Sequence, residues 1–433
     1  MKGAVPPRAT FRDVLAVPEF RALWFSEVLS VIGDRLALVA LTLFVYDKTG
    51  NPVLTAATFA SGYLPWVIGG FFLAGLADRW PRRAVMVTCD WVRAALTGAM
   101  LIPGMPLIGL VALLFAITMF APPFESARAS ITPDILKGEQ YVLGTAIIQT
   151  TFLAGQVVGA AGGGVAVAFF HVKPSLVIDC LTFVASALMI QLGTRKRPPA
   201  VDKDSAIARE TPIGMMKAGF ALIFGNKALR TLIGFGWLVF FYSIPEGIAA
   251  PYAHALHGGS IATGAILASV ALATAIVTPI FSRVLNPRRR IDWMGPLAVL
   301  CCGSLVLVAF HPNLVASLVV FSASSAFGAY QIAANTAFVV RVPNERRAQA
   351  FGIANMGVMI GQGFAYIIAG WFAERYSVAS VIGVAGGIGM VMAIIFTAQW
   401  RHVSPPGGRH AARRRPLQVA SDSRNRVPLR ESS

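Results

Sequence analysis

The sequence predicts an all-α polytopic membrane protein with twelve transmembrane helices in two six-helix bundles. Three observations lead there. Of 433 residues, 56% are hydrophobic and only 13% are charged, about half the charged share of an ordinary soluble chain. The apolar residues gather into runs, most of them near the ~20 residues needed to cross a bilayer. The loops between runs alternate between arginine-rich and arginine-poor, which is the asymmetry that orients membrane proteins.

Residues 1–20 are polar and lead directly into a long apolar run. With no short apolar core and cleavage site, they read as a cytoplasmic N-terminal segment rather than a signal peptide. The N-terminal bundle, 21–192, holds spans over 21–46, 53–76, 84–103, 107–124, 142–170 and 174–192. A polar stretch within 193–228, TRKRPPAVDKDSAIARETP, reads as a cytoplasmic linker. The C-terminal bundle, 229–400, holds spans over 229–251, 261–284, 294–310, 314–338, 350–373 and 378–399. Pro65, Pro245 and Pro279 fall inside spans and predict kinks, which bundles tolerate when neighbours cover the freed carbonyls. The basic tail, 401–433, carries eight arginines with prolines and glycines and reads as disordered.

The formal charge is 37 − 20 = +17. In a soluble chain that would suggest nucleic acid. Here the basic residues sit in short gaps between apolar runs and in the tail, so a nucleic-acid partner is excluded. One set of loops holds Arg79, Arg82 and Arg83, then Arg128 and Lys137, then Arg195 to Arg197, and later Arg288 to Arg290 and Arg346. The alternate loops hold little beyond Lys48, Lys173, His254, His257 and Arg375. The bias predicts a multi-pass protein of the cell inner membrane with both termini cytoplasmic. Four cysteines lie in apolar runs without metal-ligand spacing, and the six histidines form no constellation, so no metal site or cofactor is expected.

The halves echo one another. RWPRR (79–83) and NPRRR (286–290) occupy the same place in each, and the fourth and tenth spans both end in polar residues, a proline and a charged turn. Paired six-span halves are a transporter architecture. The spacing Gly75-x-x-Asp78-Arg79-x-x-Arg82-Arg83, between spans two and three, resembles the loop signature of the major facilitator superfamily. Physically, Gly75 permits close helix approach, and Asp78 with the arginines can make charge-assisted contacts that latch and release. GQVVGAAGGG (155–164) is similar to that family's antiporter signature at Gly155, Gly159, Gly163 and Gly164, with Ala160 where the signature has proline. SEVLSVIGDR (26–35) and the long central loop look most like the drug and siderophore exporter branch, with enterobactin-exporter-like and macrolide-efflux-like members. The resemblance implies a proton-coupled antiporter that exports small amphipathic, drug-like or siderophore-like compounds by alternating access.

An ionisable group inside a span is a functional candidate by default. Glu27 and Asp34 lie seven apart on one face of the first span, with Asp34 near mid-membrane and beside Arg35. Both carboxylates, and Glu246 after Pro245 in the seventh span, are candidates for proton coupling; a structural Asp34–Arg35 network and a solvated outer Glu246 are the bland alternatives. Glu27 is placed nearer cytoplasmic water. Asp90 and Arg93, two turns beyond Arg83, are expected to join a cytoplasmic network with Glu125 and Arg128 at the cytoplasmic exit of the fourth span. Asp179 is placed near the outer end of span six as a hydrated carboxylate. Arg35, Gln149, Gln156, Gln331, Asn335, Asn355 and Gln362 are cavity candidates that could orient a ligand, or equally bridge helices. No Walker A sequence, HExxH helix or acidic cluster suited to phosphate chemistry occurs, so neither an ATP-driven pump nor a membrane enzyme is expected. A lipid or lysolipid transporter of the same architecture is the closer rival. Expected partners are a small-molecule substrate, protons and membrane lipids, with the chain acting as a monomer.

Overall fold

A computed structural model describes residues 10–72, 80–197, 212–343 and 346–403. These are overwhelmingly helical, and no strand occurs among them. Ten helices are long and apolar enough to cross a membrane. The other two crossings are span two and span three. Span two is split into Pro52–Ala60 and Leu64–Phe72, and span three, Arg82–Met100, is made less apolar by Asp90, Arg93 and its leading arginines. Of the loop signature, Gly75, Asp78 and Arg79 lie outside the described residues.

The breaks follow local chemistry. Span two breaks just before Pro65, whose missing N–H frees a carbonyl in the preceding turn. Span four divides into Leu107–Met119 and Ala121–Ile135 immediately before Pro122 and Pro123. Span seven becomes a chain of short helices, Lys227–Trp237, Val239–Tyr242, Ile244–Gly247 and Ala249–Ala255, around Pro245 and Pro251. Pro279, by contrast, lies within the unbroken span eight, Gly259–Val284. Span nine begins at Pro287, seven residues before the sequence expectation of 294, because a proline at the first helical position and the exposed Arg288 and Arg289 after it extend the helix beyond its apolar run. The described part of the central segment also carries a helix, Pro212–Gly225.

Span one, Pro18–Thr49, is the spine of the N-terminal half and packs on span five, Glu139–Phe170, and span six, Val172–Gly193. The halves meet where span five crosses span eight and where span two crosses span eleven, Arg347–Ala373. The glycines of span five explain its position. A Cβ on Gly155 would lie 2.8 Å from Val31, one on Gly159 2.6 Å from Arg35, and one on Gly163 2.9 Å from Val39, all on span one. A Cβ on Gly164 would lie 2.6 Å from the Ser260 carbonyl and 2.7 Å from the Gly264 Cα, across the interface between halves. Backbone contact of this kind accepts no side chain. Gly164→Leu is therefore expected to lower thermal stability in detergent, by about 1–3 kcal/mol as overpacking usually does. An equivalent change at Gly225, which has nothing within 4 Å, should have little effect.

At one end of the molecule the halves are tied together. Asn51 Nδ2 donates to Glu374 Oε1 at 2.6 Å, and the rings of Tyr46 and His254 meet edge-on at 5.5 Å. Tyr366 packs edge-on against Phe59 and Tyr63 slightly deeper, at 5.4 and 5.3 Å. The opposite end carries the arginine-rich segments. There Arg82 pairs with Asp134 at 2.5 Å, Arg197 with Glu19 at 2.5 Å, and Arg83 donates to the Gln191 carbonyl.

Candidate functional site

Asp34 sits at the midpoint of span one, about 24 Å along the helix from Pro18. Its partner is not the neighbouring Arg35. Successive helical residues point about 100° apart, and Arg93 from span three reaches Asp34 instead. Arg93 Nη2 donates to both Asp34 oxygens, at 2.7 and 2.6 Å. Its Nη1 lies 3.4 Å from Ser30 Oγ and 3.8 Å from Asp90, and its guanidinium stacks 4.1 Å from the Phe183 ring centroid. Asp90 accepts from the Ser186 hydroxyl at 2.5 Å. Asp90 and Arg93 therefore belong to a mid-span ion cluster rather than to a latch with Arg83, which turns toward span six.

A second ion group adjoins the first. Arg128 Nη1 approaches Glu27 Oε2 at 3.0 Å and also bonds Glu125. The span-four break turns Glu125 and Arg128 inward, so they serve span one rather than sitting only at an exit. Glu27 is 1% exposed, whereas the Asp34 side chain is 37% exposed. The expected order of water access is thus reversed: Glu27 is covered by Phe124's helix and Arg128, and Asp34 faces the cavity.

Asp179 is the residue that the sequence reading placed elsewhere. It is 2% exposed, and its Oδ1 has no hydrogen-bond partner. It lies within electrostatic reach of Asp34 and Arg93. Gly33 makes the approach possible, since a Cβ there would fall 2.7 Å from Asp179 Oδ1 and 2.3 Å from Thr182 Oγ1. Glu27, Asp34, Arg93, Glu125 and Asp179 all line one cavity of about 260 Å³, closed on its other side by Trp66, Asn355 and Met359.

Arg35 also borders this cavity but finds its partners in a different direction. Both its terminal nitrogens lie 3.4 Å from the Tyr63 hydroxyl, which in turn is 3.4 Å from Glu246 Oε2 in the other half. Glu246 is thus part of a bridge between halves, not a solvated outer carboxylate. Arg35 and Glu246 share a second cavity of about 210 Å³ with Phe59, Phe152, Gln156 and Leu267. A third, about 300 Å³, lies within the C-terminal half and is lined by Trp237, Tyr242, Gln331, Asn335, Phe338 and Asn355. Asn355 borders the first and third cavities. Gln331 donates to the Gly236 carbonyl at 3.1 Å, where the broken span seven leaves carbonyls free. Gln362 is buried and donates to Tyr366 at 3.4 Å, a bond within its own helix. Gln149 is exposed and is not among the residues lining these cavities. A larger groove, about 660 Å³, runs along Phe364, Ile368, Phe372 and Val384 and is almost wholly apolar. Among the described residues no group of His, Cys, Asp and Glu is arranged to hold a metal ion.

Comparison with known proteins agrees with this architecture. Among curated relatives, the chain is 26% identical over 239 residues to the MFS-type transporter YkuC of Bacillus subtilis, covering 53% of this chain and 54% of that protein. It is 22% identical over 243 residues to macrolide efflux protein A of Streptococcus pyogenes, covering 54% of this chain and 58% of that protein. The chain thus matches little more than half the length of these two relatives. A longer match, 24% identical, joins 87% of the chain to 90% of the MFS-type transporter YvqJ of Bacillus subtilis. Among solved structures, the peptide transporter POT in complex with sulfate superposes with a TM-score of 0.72 at 13% identity, over 92% of this chain and 96% of that one. The nucleoside transporter NupG gives 0.67 at 16% identity, over 88% and 98%. At such identities these structures establish the fold. The Major Facilitator Superfamily model matches residues 23–337 and again 247–431, and the chain belongs to that superfamily of transporters.

Proposed function

We propose that the chain is a proton-coupled exporter of small amphipathic compounds, working by alternating access across the cell inner membrane. One observation carries the reading. Five carboxylates, from Glu27, Asp34, Asp90, Glu125 and Asp179, gather around two guanidiniums, Arg93 and Arg128, beside a cavity between the halves. Unpaired buried carboxylates are strongly disfavoured in a low-dielectric interior, so such a cluster takes up protons to balance its charge. Coupling follows if the balance changes as the cavity opens to either side. Similarity to macrolide efflux protein A supports export. The cavity wall, charged on one side and aromatic and amide-bearing on the other, suits a ligand with a polar group and an apolar body.

The direct test is to measure accumulation of labelled amphipathic compounds, a macrolide among them, in cells expressing the chain and in proteoliposomes with and without an imposed pH gradient. Lower cellular accumulation, and gradient-dependent concentration in vesicles, are the expected results. Equal movement with and without the gradient would remove the proton from the mechanism.

The orientation reading puts both termini and the arginine-rich end in the cytoplasm. Lys196 is exposed at that end. Lys196→Cys, in a background lacking the four native cysteines, should react with an impermeant thiol reagent only after cells are permeabilised. Reaction in intact cells would invert the topology. The resemblance assigns Asp78, with Arg79, Arg82 and Arg83, to a latch that forms in another conformation, since here Arg82 and Arg83 bond within the N-terminal half. Asp78→Asn should leave insertion intact and slow turnover, because a charge-assisted contact of about 1.5–3 kcal/mol is lost from one conformation.

A further inference from the structure

We propose that Asp179 is the carboxylate that carries the proton in this conformation, and that it exchanges Arg93 with Asp34 as the transporter switches. The inference rests on the proton-coupled reading above and names the atom at which coupling occurs.

The three carboxylates around Arg93 are not equivalent. Both oxygens of Asp34 are engaged by Arg93 Nη2, at 2.7 and 2.6 Å, so Asp34 already has a cationic partner. Asp90 receives the Ser186 hydroxyl at 2.5 Å, has Arg93 Nη1 at 3.8 Å, and is not among the residues lining the cavity. Asp90 Oδ1 and Asp179 Oδ1 both lack a hydrogen-bond partner, but of these two almost fully buried groups only Asp179 borders the cavity, where water and substrate can reach it. An ionised carboxylate with a buried, unpartnered oxygen is strongly disfavoured. A protonated one needs no counter-charge and presents an O–H toward the cavity.

The groups facing Asp179 fit this assignment. Span one brings Asp34 and the bare backbone of Gly33; span three brings Arg93, with Asp90 behind it, and Thr97. On its own helix Cys180 and Thr182 adjoin it. Arg93 is the one positive charge in this set. If Arg93 shifts from Asp34 to Asp179, then Asp179 ionises and its proton passes to water in the cavity or to Asp34. When Arg93 returns, Asp34 releases to water any proton it received, and a proton from water restores neutral Asp179. Each cycle takes up one proton at an Asp179 oxygen and returns one, with no other bond made or broken.

Asp179→Asn preserves shape and mimics the neutral form. Infrared difference spectra of the purified, reconstituted protein, recorded between acid and alkaline buffer, read protonated carboxyl groups without any substrate. The parent should show a titrating carboxylic C=O stretch that is lost in Asp179→Asn, kept in Glu27→Gln, and restored by Asp179→Glu at a shifted position. In vesicles, Asp179→Asn should lose about tenfold or more of gradient-driven concentration while exchange of the same compound stays within about twofold. An undiminished band in Asp179→Asn, or undiminished gradient-driven concentration by it, would overturn the assignment while leaving proton coupling intact. A parent indifferent to the gradient would overturn the coupling reading instead, even with the band still assigned to Asp179.

Discussion

Asp34→Asn protein is expected to insert and fold at close to parental levels and yet to be unable to concentrate substrate under an imposed pH gradient. Folding survives because the change is isosteric and because Arg93 keeps other partners: Asp90 at 3.8 Å, Ser30 at 3.4 Å and the Phe183 ring at 4.1 Å. An amide oxygen in place of the carboxylate can still accept one hydrogen bond from Nη2. Coupling does not survive, because the pair that competes for Arg93 has lost its charged member. Arg93 would then rest with whichever carboxylate remains ionised, and the cavity would no longer distinguish a loaded from an unloaded state. Any compound that the parent exports serves for the measurement. Gradient-driven concentration should fall about tenfold or more, while equilibrium exchange persists. Glu27→Gln should do less, for a reason different from the one its sequence position suggests. Glu27 is deeply buried, but Arg128 retains Glu125 when Glu27 is neutralised, so one ion pair still stands. Parental accumulation by Asp34→Asn under the gradient would show that coupling does not need Asp34 as the alternate partner of Arg93.

Much of the architecture was legible because lipid imposes it. A run of apolar residues long enough to cross, bounded by arginines on one side only, has few other readings. The broken helices were partly legible too. Pro65 and Pro245 announce two breaks, while span ten breaks at Gly328–Ala329 without a proline at that position. The glycines of 155–164 were recognisable as a packing face, and the close approaches to Val31, Arg35 and Val39 give that face its partner.

The site was harder because its members come from different helices. Asp34 and Arg35 are adjacent in sequence and part company in space, one toward Arg93 and the other toward Tyr63 and Glu246. No local pattern specifies that span three lies beside span one at the height of Asp34. Asp179 did carry a signal that could have been used. Ser175, Asp179 and Ser186 recur at helical spacing in an apolar span and are all buried. A polar stripe of that kind points into a protein interior rather than to hydrated headgroups. Its partners remained hidden until spans one, three and six were set side by side.

The largest loss of stability should come from Arg93. Arg93→Met keeps much of the side chain's length and removes the charge from a group that is 3% exposed. Asp34 and Asp90 would then be left without their cationic partner. Removing one partner of a buried ion pair typically costs about 3–5 kcal/mol, because the remaining charge stays buried. The expected results are a poor yield in mild detergent, a markedly lower melting temperature, and no transport. Arg93→Lys should fall between parent and Met variant, since an ammonium supplies charge but not the planar fork that serves Asp34 and Asp90 together. The discriminating variant is the triple change Arg93→Met, Asp34→Asn, Asp90→Asn. If the destabilisation is electrostatic, removing the stranded carboxylates together with the guanidinium should recover most of the lost stability, as when buried ion pairs are replaced by neutral groups, while transport stays abolished. If Arg93 matters mainly through its contact with the Phe183 ring, the triple variant should be as unstable as Arg93→Met or more so. Thermal unfolding of the four proteins in one detergent separates the two outcomes. A parental melting temperature for Arg93→Met alone would show that the carboxylates around it are not charged together in the folded protein.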